Sequence, residues 1–470
     1  MDKQELEIRL DFSNVMAENV GNENGLKKED LDAIQEKTRD IHFNFYRLRE
    51  RKELPFMNLP FEKESANEIS AYVKSIEGKF ENYVHIGIGG SALGPIAVQS
   101  ALHHPFFNLI PEEKRRKTPR MFFLDNIDPD TIAGLLEVVD PAKTLFAIVT
   151  KSGGTAETIS GFLIFLEELR HTLKDRYKDH LVFITDPLNG FLRKVATEEG
   201  IQAFSIPPGV GGRFSVLTPV GLFPAILSGL DADQLLNGAG FAVSKCGTED
   251  LWKNPAYLFG AINYLMYKKG KSSVVMMPYS DRLYRVADWF RQLWAESLGK
   301  KINLEGEKVF LGPTPIKALG ATDQHSQVQL YVEGPFDKLF VFLEVERFSE
   351  TVTIPSFGRA DGTTDYLAGK TMNALISAEK KATELAITRN QRPNLTFKFP
   401  VVNEFTLGQI FMILEIATAY TGHLFGVDPF NQPGVEEGKI ATYVLMGREG
   451  FEEHRRKIEA EMEHRTPYIV

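Results

Sequence analysis

The sequence predicts an α/β protein with two doubly wound, mainly parallel sheets, one after the other along the chain, and helical extensions at both ends. Three observations predict it. Short apolar runs alternate with helical stretches twice over. Glycine-rich turns directly follow two of the runs in the first half. The chain has 470 residues, 43% of them hydrophobic, which is enough for two cores and more than one ordinary domain uses. The predicted divisions are an N-terminal helical segment over 1–60, a first α/β domain over 61–230, a second over 231–440 and a helical tail over 441–470.

In chain order, residues 1–60 read as helices that pack on one of the two domains, closing in the proline-bounded stretch 55–60. Strands follow at 83–88, 121–124, 144–149, 181–185 and 201–205, with helical patterns between them. Asp128-Pro129, for instance, opens a helix over 131–139, proline being suited to a first helical turn. Pro207-Pro208-Gly209 then interrupts the pattern, and a long apolar helix covers 219–230. The alternation resumes with a helix at 254–269, a strand at 273–277, a helix at 282–298, a strand at 339–345, a helix at 369–389 and a strand at 395–399. The charged stretch 448–465 reads as a terminal helix. No short-period repeat or low-complexity segment interrupts this order.

Composition points to a cytoplasmic enzyme. Cys246 is the single cysteine and has no partner for an internal disulfide, and the start Met1-Asp2-Lys3-Gln4-Glu5 lacks the basic-then-apolar layout of a secretory leader. The apolar stretch 410–425 is interrupted by Glu415 and His423 and falls short of a membrane span. A formal net charge of −9 argues against a nucleic-acid partner and would repel an anionic substrate at long range. Any phosphate must therefore be held by local donors and cations.

Thr150-Lys151-Ser152-Gly153-Gly154-Thr155 supplies such donors, in the turn between an apolar strand and a helix starting near Thr155. Glycines let backbone N–H groups approach an anion, and the helix aims its positive end at the same point. The P-loop spacing is absent, so a phosphorylated metabolite fits better than a nucleotide. The alternative is a helix start capped by Ser152 or Thr155 with no ligand. A second turn, Gly87-Ile88-Gly89-Gly90-Ser91-Ala92-Leu93-Gly94-Pro95, fits G-x-G-x-x-A. A dinucleotide site would need an acidic residue about 20 positions later, at the end of the next strand. Asp125 comes too late, and Glu112 and Glu113 lie in a charged surface run. Two phosphate-type turns at the carboxyl ends of two strands suggest one anionic ligand in the crevice between them.

On the predicted helix 282–298, Leu283, Val286, Phe290 and Leu293 form an apolar stripe, while Gln292 and Glu296 stand four apart on another face, beside Trp289 and Trp294. An apolar wall would help such a carboxylate shuttle a proton near neutral pH; the alternative is an exposed glutamate at a helix end. Asp323-Gln324-His325-Ser326 reads as an Asp-capped helix start with a histidine in its first turn. Asn431-Gln432-Pro433-Gly434-Val435-Glu436-Glu437-Gly438-Lys439 places Lys439 on a short helix after a tight turn, solvated by default. Gly211-Gly212-Arg213-Phe214-Ser215 sets an arginine between small residues, either as an anion clamp or as the partner of a carboxylate.

Taken together these segments resemble the phosphoglucose isomerase family. The resemblance rests on residues 87–95, 150–158, 211–219, 292–300 and 430–439, with Gln324-His325-Ser326 between the last two, and covers nearly the whole chain. It implies two sugar-isomerase-type domains, interconversion of glucose 6-phosphate and fructose 6-phosphate through a cis-enediol, and a homodimer with a shared active site. It further implies phosphate on Thr150, the Lys151 backbone, Ser152 and Thr155, with Gly90 and Ser91 lining the sugar pocket and Gln292 and Gln432 binding the sugar. Glu296 is implied as the proton-transferring base and Arg213 as the group that stabilises the enediolate. His325, from the neighbouring subunit, and Lys439 are implied to open the ring. No metal or cofactor is expected, since arginine and lysine can stabilise an enediolate, and the chain carries no H-E-x-x-H or paired Cys/His cluster. Pro207-Pro208 depart from the polar residues many members carry before the Gly-Gly-Arg segment. Two other readings are a bifunctional isomerase that also accepts mannose 6-phosphate and a catalytically silent phosphosugar sensor. The filled catalytic positions and the two domains favour the enzyme.

Overall fold

The computed structural model describes residues 3–358, 362–464 and 466–470. Met1 and Asp2, part of the start that lacks a leader's layout, and Arg465, the end of the predicted terminal helix, lie outside the described residues. The strands are β1 (Arg9–Asp11), β2 (Asn82–Ile86), β3 (Arg120–Leu124), β4 (Thr144–Val149), β5 (Leu181–Thr185), β6 (Gln202–Ser205), β7 (Ser273–Pro278), β8 (Lys300–Ile302), β9 (Lys308–Leu311), β10 (Thr314–Lys317), β11 (Lys338–Val345) and β12 (Asn394–Phe399).

The first sheet has the order β3-β2-β4-β5-β6 and is parallel throughout. From β2 the chain crosses to β3 on one side, and from β3 it crosses back to β4 on the other. The strand order thus reverses between β2 and β4, which leaves a crevice at their carboxyl ends. The second sheet has the order β1-β12-β11-β7-β10, parallel except for β1. Strands β8 and β9 form a separate antiparallel ribbon.

Alternating side chains build layers on both faces of each sheet. Leu145, Ala147 and Val149 of β4 enter one core, while Phe146 and Ile148 enter another on the opposite face. The first of these cores is continuous with one face of the second sheet, through Val274, Met276, Val341 and Phe397. Helix Glu404–Phe425 runs through it with almost every residue buried. The apolar stretch weighed as a membrane span is therefore an interior helix, hydrophobic all round because protein surrounds it. Among the described residues no helix is long and apolar enough to cross a membrane. The outer faces are covered by helix Ala156–Leu173 on the first sheet and helix Met372–Arg389 on the second.

The predicted core strands are all present, with ends shifted by two residues at most. Three expectations need correction. The N-terminal segment is not wholly helical: Arg9–Asp11 pairs antiparallel with β12, as Leu10 lies opposite Phe397. Three residues are too few to show a strand's alternation. Strand β10 was not foreseen because Pro315 sits within it, a residue tolerated here because β10 is the sheet edge. The helix expected from 369 starts at Met372, since Gly369 has φ +74° and the Thr371 side chain caps the Ala374 N–H at 3.1 Å.

Candidate active site

The turn after β4 is fastened to β5 on both sides of Thr150. Its N–H donates to the Ile184 carbonyl at 3.1 Å, and its carbonyl accepts from the Thr185 hydroxyl at 2.8 Å. Three hydroxyls then gather: Thr150 Oγ1 lies 2.7 Å from Thr155 Oγ1 and 3.3 Å from Ser152 Oγ, and the last two are 3.2 Å apart. Gly153 has φ +67°, and its Cα side meets Gly190, where an added Cβ would stand 3.0 Å from the Gly190 Cα. Thr155 occupies the N-cap position of helix Ala156–Leu173 but its side chain makes no capping bond. The Ser152 hydroxyl accepts from the Gly154 N–H at 3.3 Å, ahead of the helix, so neither hydroxyl bonds an N–H within the helix itself. The Lys151 ammonium turns away and donates to the Val210 carbonyl at 2.7 Å, with burial lowering its pKa against the pull of Asp186. That bond ties the hydroxyl turn to the segment leading into Arg213.

The glycine turn after β2 sits beside it. His85, fully buried in β2, accepts from the Tyr83 hydroxyl at Nδ1 (2.9 Å) and donates from Nε2 to the Ser91 carbonyl (2.7 Å), a tautomer assigned from these partners. Burial pushes its pKa down to about 4, so the ring stays neutral and fixes the path of Gly89-Gly90-Ser91. Gly90 lies so close to the Gly212-Arg213 backbone that an added Cβ would fall 2.2 Å from the Gly212 carbonyl carbon. Gly89, at φ +58°, leaves room for the Gln292 amide, whose Nε2 would be 3.0 Å from a Cβ there. Gly90 thus lets the Gly212-Arg213 segment approach the turn, and Gly89 lets the helix that carries Gln292 do so.

Arg213 is buried at the meeting point, 3% exposed. Its Nε donates to the Ser297 hydroxyl at 2.7 Å, and its Nη2 to the carbonyls of Pro429 at 2.6 Å and Asn431 at 3.1 Å. Nη1 donates to Gln432 Oε1 at 2.8 Å and faces Glu296 Oε2 at 3.4 Å. Burial lowers the Arg213 pKa, and Glu296 and Asp428 oppose that shift. Glu296 stands in the last turn of helix Tyr284–Leu298, where Leu283, Val286, Phe290 and Leu293 are buried as the stripe predicts. Its Oε1 accepts from Gln292 Nε2 at 3.3 Å, one turn earlier. The Glu296 side chain is 32% exposed, neither free in solvent nor sealed in the core. The arrangement offers one accessible carboxylate, a fixed cation beside it and two amides around it.

Glu296, Arg213, Gln292 and Gln432 are thus joined directly, the Gly89-Gly90-Ser91 turn borders them, and the Thr150–Thr155 turn is tied to the segment before Arg213 through Lys151. His325 and Lys439 are not brought in. His325 is exposed at the end of the 3-10 turn Thr322–His325, and no described hydrogen bond or ion pair links it to the cluster. The expected Asp323 cap also differs: Asp323 lies inside the turn, accepting from the Leu319 N–H at 2.7 Å and the Ser326 hydroxyl at 2.6 Å. Lys439 sits on helix Glu436–Leu445, exposed and paired with Glu436 at 2.7 Å. Sequence reasoning gave no role to Ser297, Lys300 or His85. Ser297 and Lys300 adjoin Glu296 in the segment already singled out, whereas nothing around His85 distinguishes it from a core strand residue. A groove of about 940 Å³ at the amino ends of β5 and β6, lined in part by Lys79, His180 and Arg193, contains none of these residues.

Residues 64–455 match the phosphoglucose isomerase family. A protein of Carboxydothermus hydrogenoformans named glucose-6-phosphate isomerase is 48% identical over 452 residues, covering 96% of this chain and 97% of that one. A glucose-6-phosphate isomerase of Thermus thermophilus is 40% identical over 392 residues, covering 83% of this chain and 89% of that protein. Among solved structures, a hypothetical protein of Thermus thermophilus superposes with a TM-score of 0.82 at 36% identity, over 94% of this chain and 100% of that one. A glucose-6-phosphate isomerase of Chlamydia trachomatis shares the fold, with a TM-score of 0.72 at 23% identity over 85% of this chain and 76% of that chain.

Proposed function

The chain belongs to the phosphoglucose isomerase family, and from that premise we propose that it interconverts glucose 6-phosphate and fructose 6-phosphate, in glycolysis and gluconeogenesis, with Glu296 as the base. The observation that carries this reading is the half-exposed Glu296 carboxylate 3.4 Å from the buried guanidinium of Arg213. An aldose–ketose shift needs one group that takes the proton from C2 and returns it to C1, and a single carboxylate with room to reach both carbons suits that task. The negative charge that develops on the enediolate oxygens falls beside Arg213. This cation is already held by five hydrogen bonds and salt-bridge contacts, so it need not reorganise as the charge appears.

The Thr150, Ser152 and Thr155 hydroxyls and the Lys151 backbone N–H hold the phosphate, at a helix N-terminus suited to a dianion. Gly90 and Ser91 line the sugar, and Gln292 and Gln432 orient its hydroxyls. Ring opening moves a proton from the anomeric hydroxyl to the ring oxygen, and this is assigned to Lys439 and to His325 of the partner subunit. The exposure of both side chains within one protomer agrees with a site completed by a second copy. The working form is then a homodimer, in the cytoplasm. The domains run over 61–230 and 231–440, with 1–60 and 441–470 as helical extensions.

The test is to supply the purified protein with fructose 6-phosphate in the presence of EDTA and read glucose 6-phosphate by a coupled dehydrogenase. Sustained conversion is expected. Its absence would return the chain to a phosphosugar sensor.

A further inference from the structure

We infer that Lys300 is a positioning residue of this site: its ammonium bridges the backbone carbonyls of Glu296 and Asn431, and so holds the helix that carries the base and the loop that carries Gln432 at one fixed separation. The inference rests on the reading of Glu296 as the base.

Glu296 lies two residues before the end of helix Tyr284–Leu298, where backbone carbonyls have no partner within the helix. Its carbonyl accepts from Lys300 Nζ at 2.8 Å, and the same ammonium donates to the Asn431 carbonyl at 2.5 Å. A cation at a helix C-terminus is favoured by the aligned peptide dipoles as well as by these bonds. The residue is only 7% exposed, so the ammonium has little water to turn to, and its backbone is held in the ribbon in which Lys300 pairs with Leu311. The far end of that ribbon grips the same region, because the Leu304 N–H donates to the Gly426 carbonyl at 2.8 Å, just past helix Glu404–Phe425 and just before the 429–432 loop.

Arg213 holds that loop from the other side, through the carbonyls of Pro429 and Asn431. One carbonyl, that of Asn431, thus receives two cations. Burial, then the nearby charge of Arg213, hold the Lys300 pKa down to about 8, and Asp428 and Glu296 resist the shift. Two of the three ammonium protons are spent on backbone carbonyls. Lys300 therefore acts through Glu296. Since a misplacement of about 1 Å can cost on the order of 10²-fold in rate, a strut that sets the base's position bears directly on turnover.

The test uses Lys300→Met, which keeps the apolar stem and removes both bonds, in the full-length protein with glucose 6-phosphate deuterated at C2. The readouts are kcat, KM and the ratio of label transferred to C1 against label lost to solvent. That ratio is a property of each working site, so it does not depend on what fraction of the protein is folded. Expected are a fall in kcat of roughly 10–100-fold, a KM within about threefold of the parent and a transfer ratio displaced by at least about threefold. Lys300→Arg, which keeps a cation with several donors, should recover the ratio to within about twofold of the parent. If the Met variant does not fold, Lys300→Gln carries the same measurement. A lowered kcat with an unchanged ratio would reduce Lys300 to a stabilising contact and overturn the inference, as would an unchanged kcat. If the parent itself exchanges no label, or Glu296→Gln exchanges as the parent does, the reading of the base falls and the inference with it.

Discussion

Glu415 illustrates how a single residue's surroundings decide its behaviour. It lies in the middle of helix Glu404–Phe425, fully buried, and neither carboxyl oxygen has a described hydrogen-bond partner. Burial raises its pKa well above the ordinary 4.5, so the folded protein keeps the proton after the unfolded chain has released it. The stability it contributes is fully present below the unfolded pKa and is lost as pH rises towards the folded value, at up to about 1.4 kcal/mol per pH unit. Glu415→Gln has the same shape and no proton to lose. Urea unfolding at fixed protein concentration, at about pH 5 and about pH 8, should show the variant gaining on the parent as pH rises. Parallel pH profiles would contradict the protonated state. His85 shows the opposite case, a buried histidine kept neutral so that both ring nitrogens serve as fixed joints for the Ser91 turn.

The proposed phosphate site belongs to the scale of elements. The Thr150–Thr155 turn works because β4 and β5 are adjacent and parallel, so bonds across them fix Thr150 while the glycines leave the backbone open. Replacing both Ser152 and Thr155 by Ala removes hydrogen bonds to a dianion worth roughly 1.5–3 kcal/mol each. The expected outcome is a KM raised by at least about tenfold with a smaller loss in kcat, and weaker discrimination between the phosphorylated sugar and its unphosphorylated analogue. Unaltered discrimination would move the phosphate elsewhere. The core strands and this turn were legible in the sequence because a strand buried on both faces reads as an unbroken apolar run that stops at glycine. Strand β1, edge strand β10 and the β8–β9 ribbon were not, being short, partly polar or broken by proline. The same holds at the site: Gln292 and Glu296 could be paired from helical spacing, but the bridge from Lys300 to Asn431 joins residues 131 positions apart, and only the fold brings them together.

The whole molecule places one cluster where loops of the first sheet meet helix Tyr284–Leu298 and the separate β8–β9 ribbon. Within one protomer Glu296 and Arg213 are in contact, whereas His325 and Lys439 face outward. The shared-site proposal therefore predicts rescue between two inactive proteins. Homodimers of Glu296→Gln and of His325→Ala should each be nearly dead. After subunit exchange, about half the dimers are mixed, each with one site carrying both defects and one carrying neither, so activity should approach roughly a quarter of the parent's. No rescue in verified heterodimers would place His325 in the service of its own chain. The central claim, that Glu296 moves the proton, is tested most directly by NMR of fructose 6-phosphate with the protein in deuterium oxide. The parent should introduce deuterium at C1 and C2 and nowhere else. Glu296→Gln, folded and still binding the sugar phosphate, should do so slower by at least ~10²–10⁴-fold. Exchange by that variant at close to the parent's rate would contradict the account.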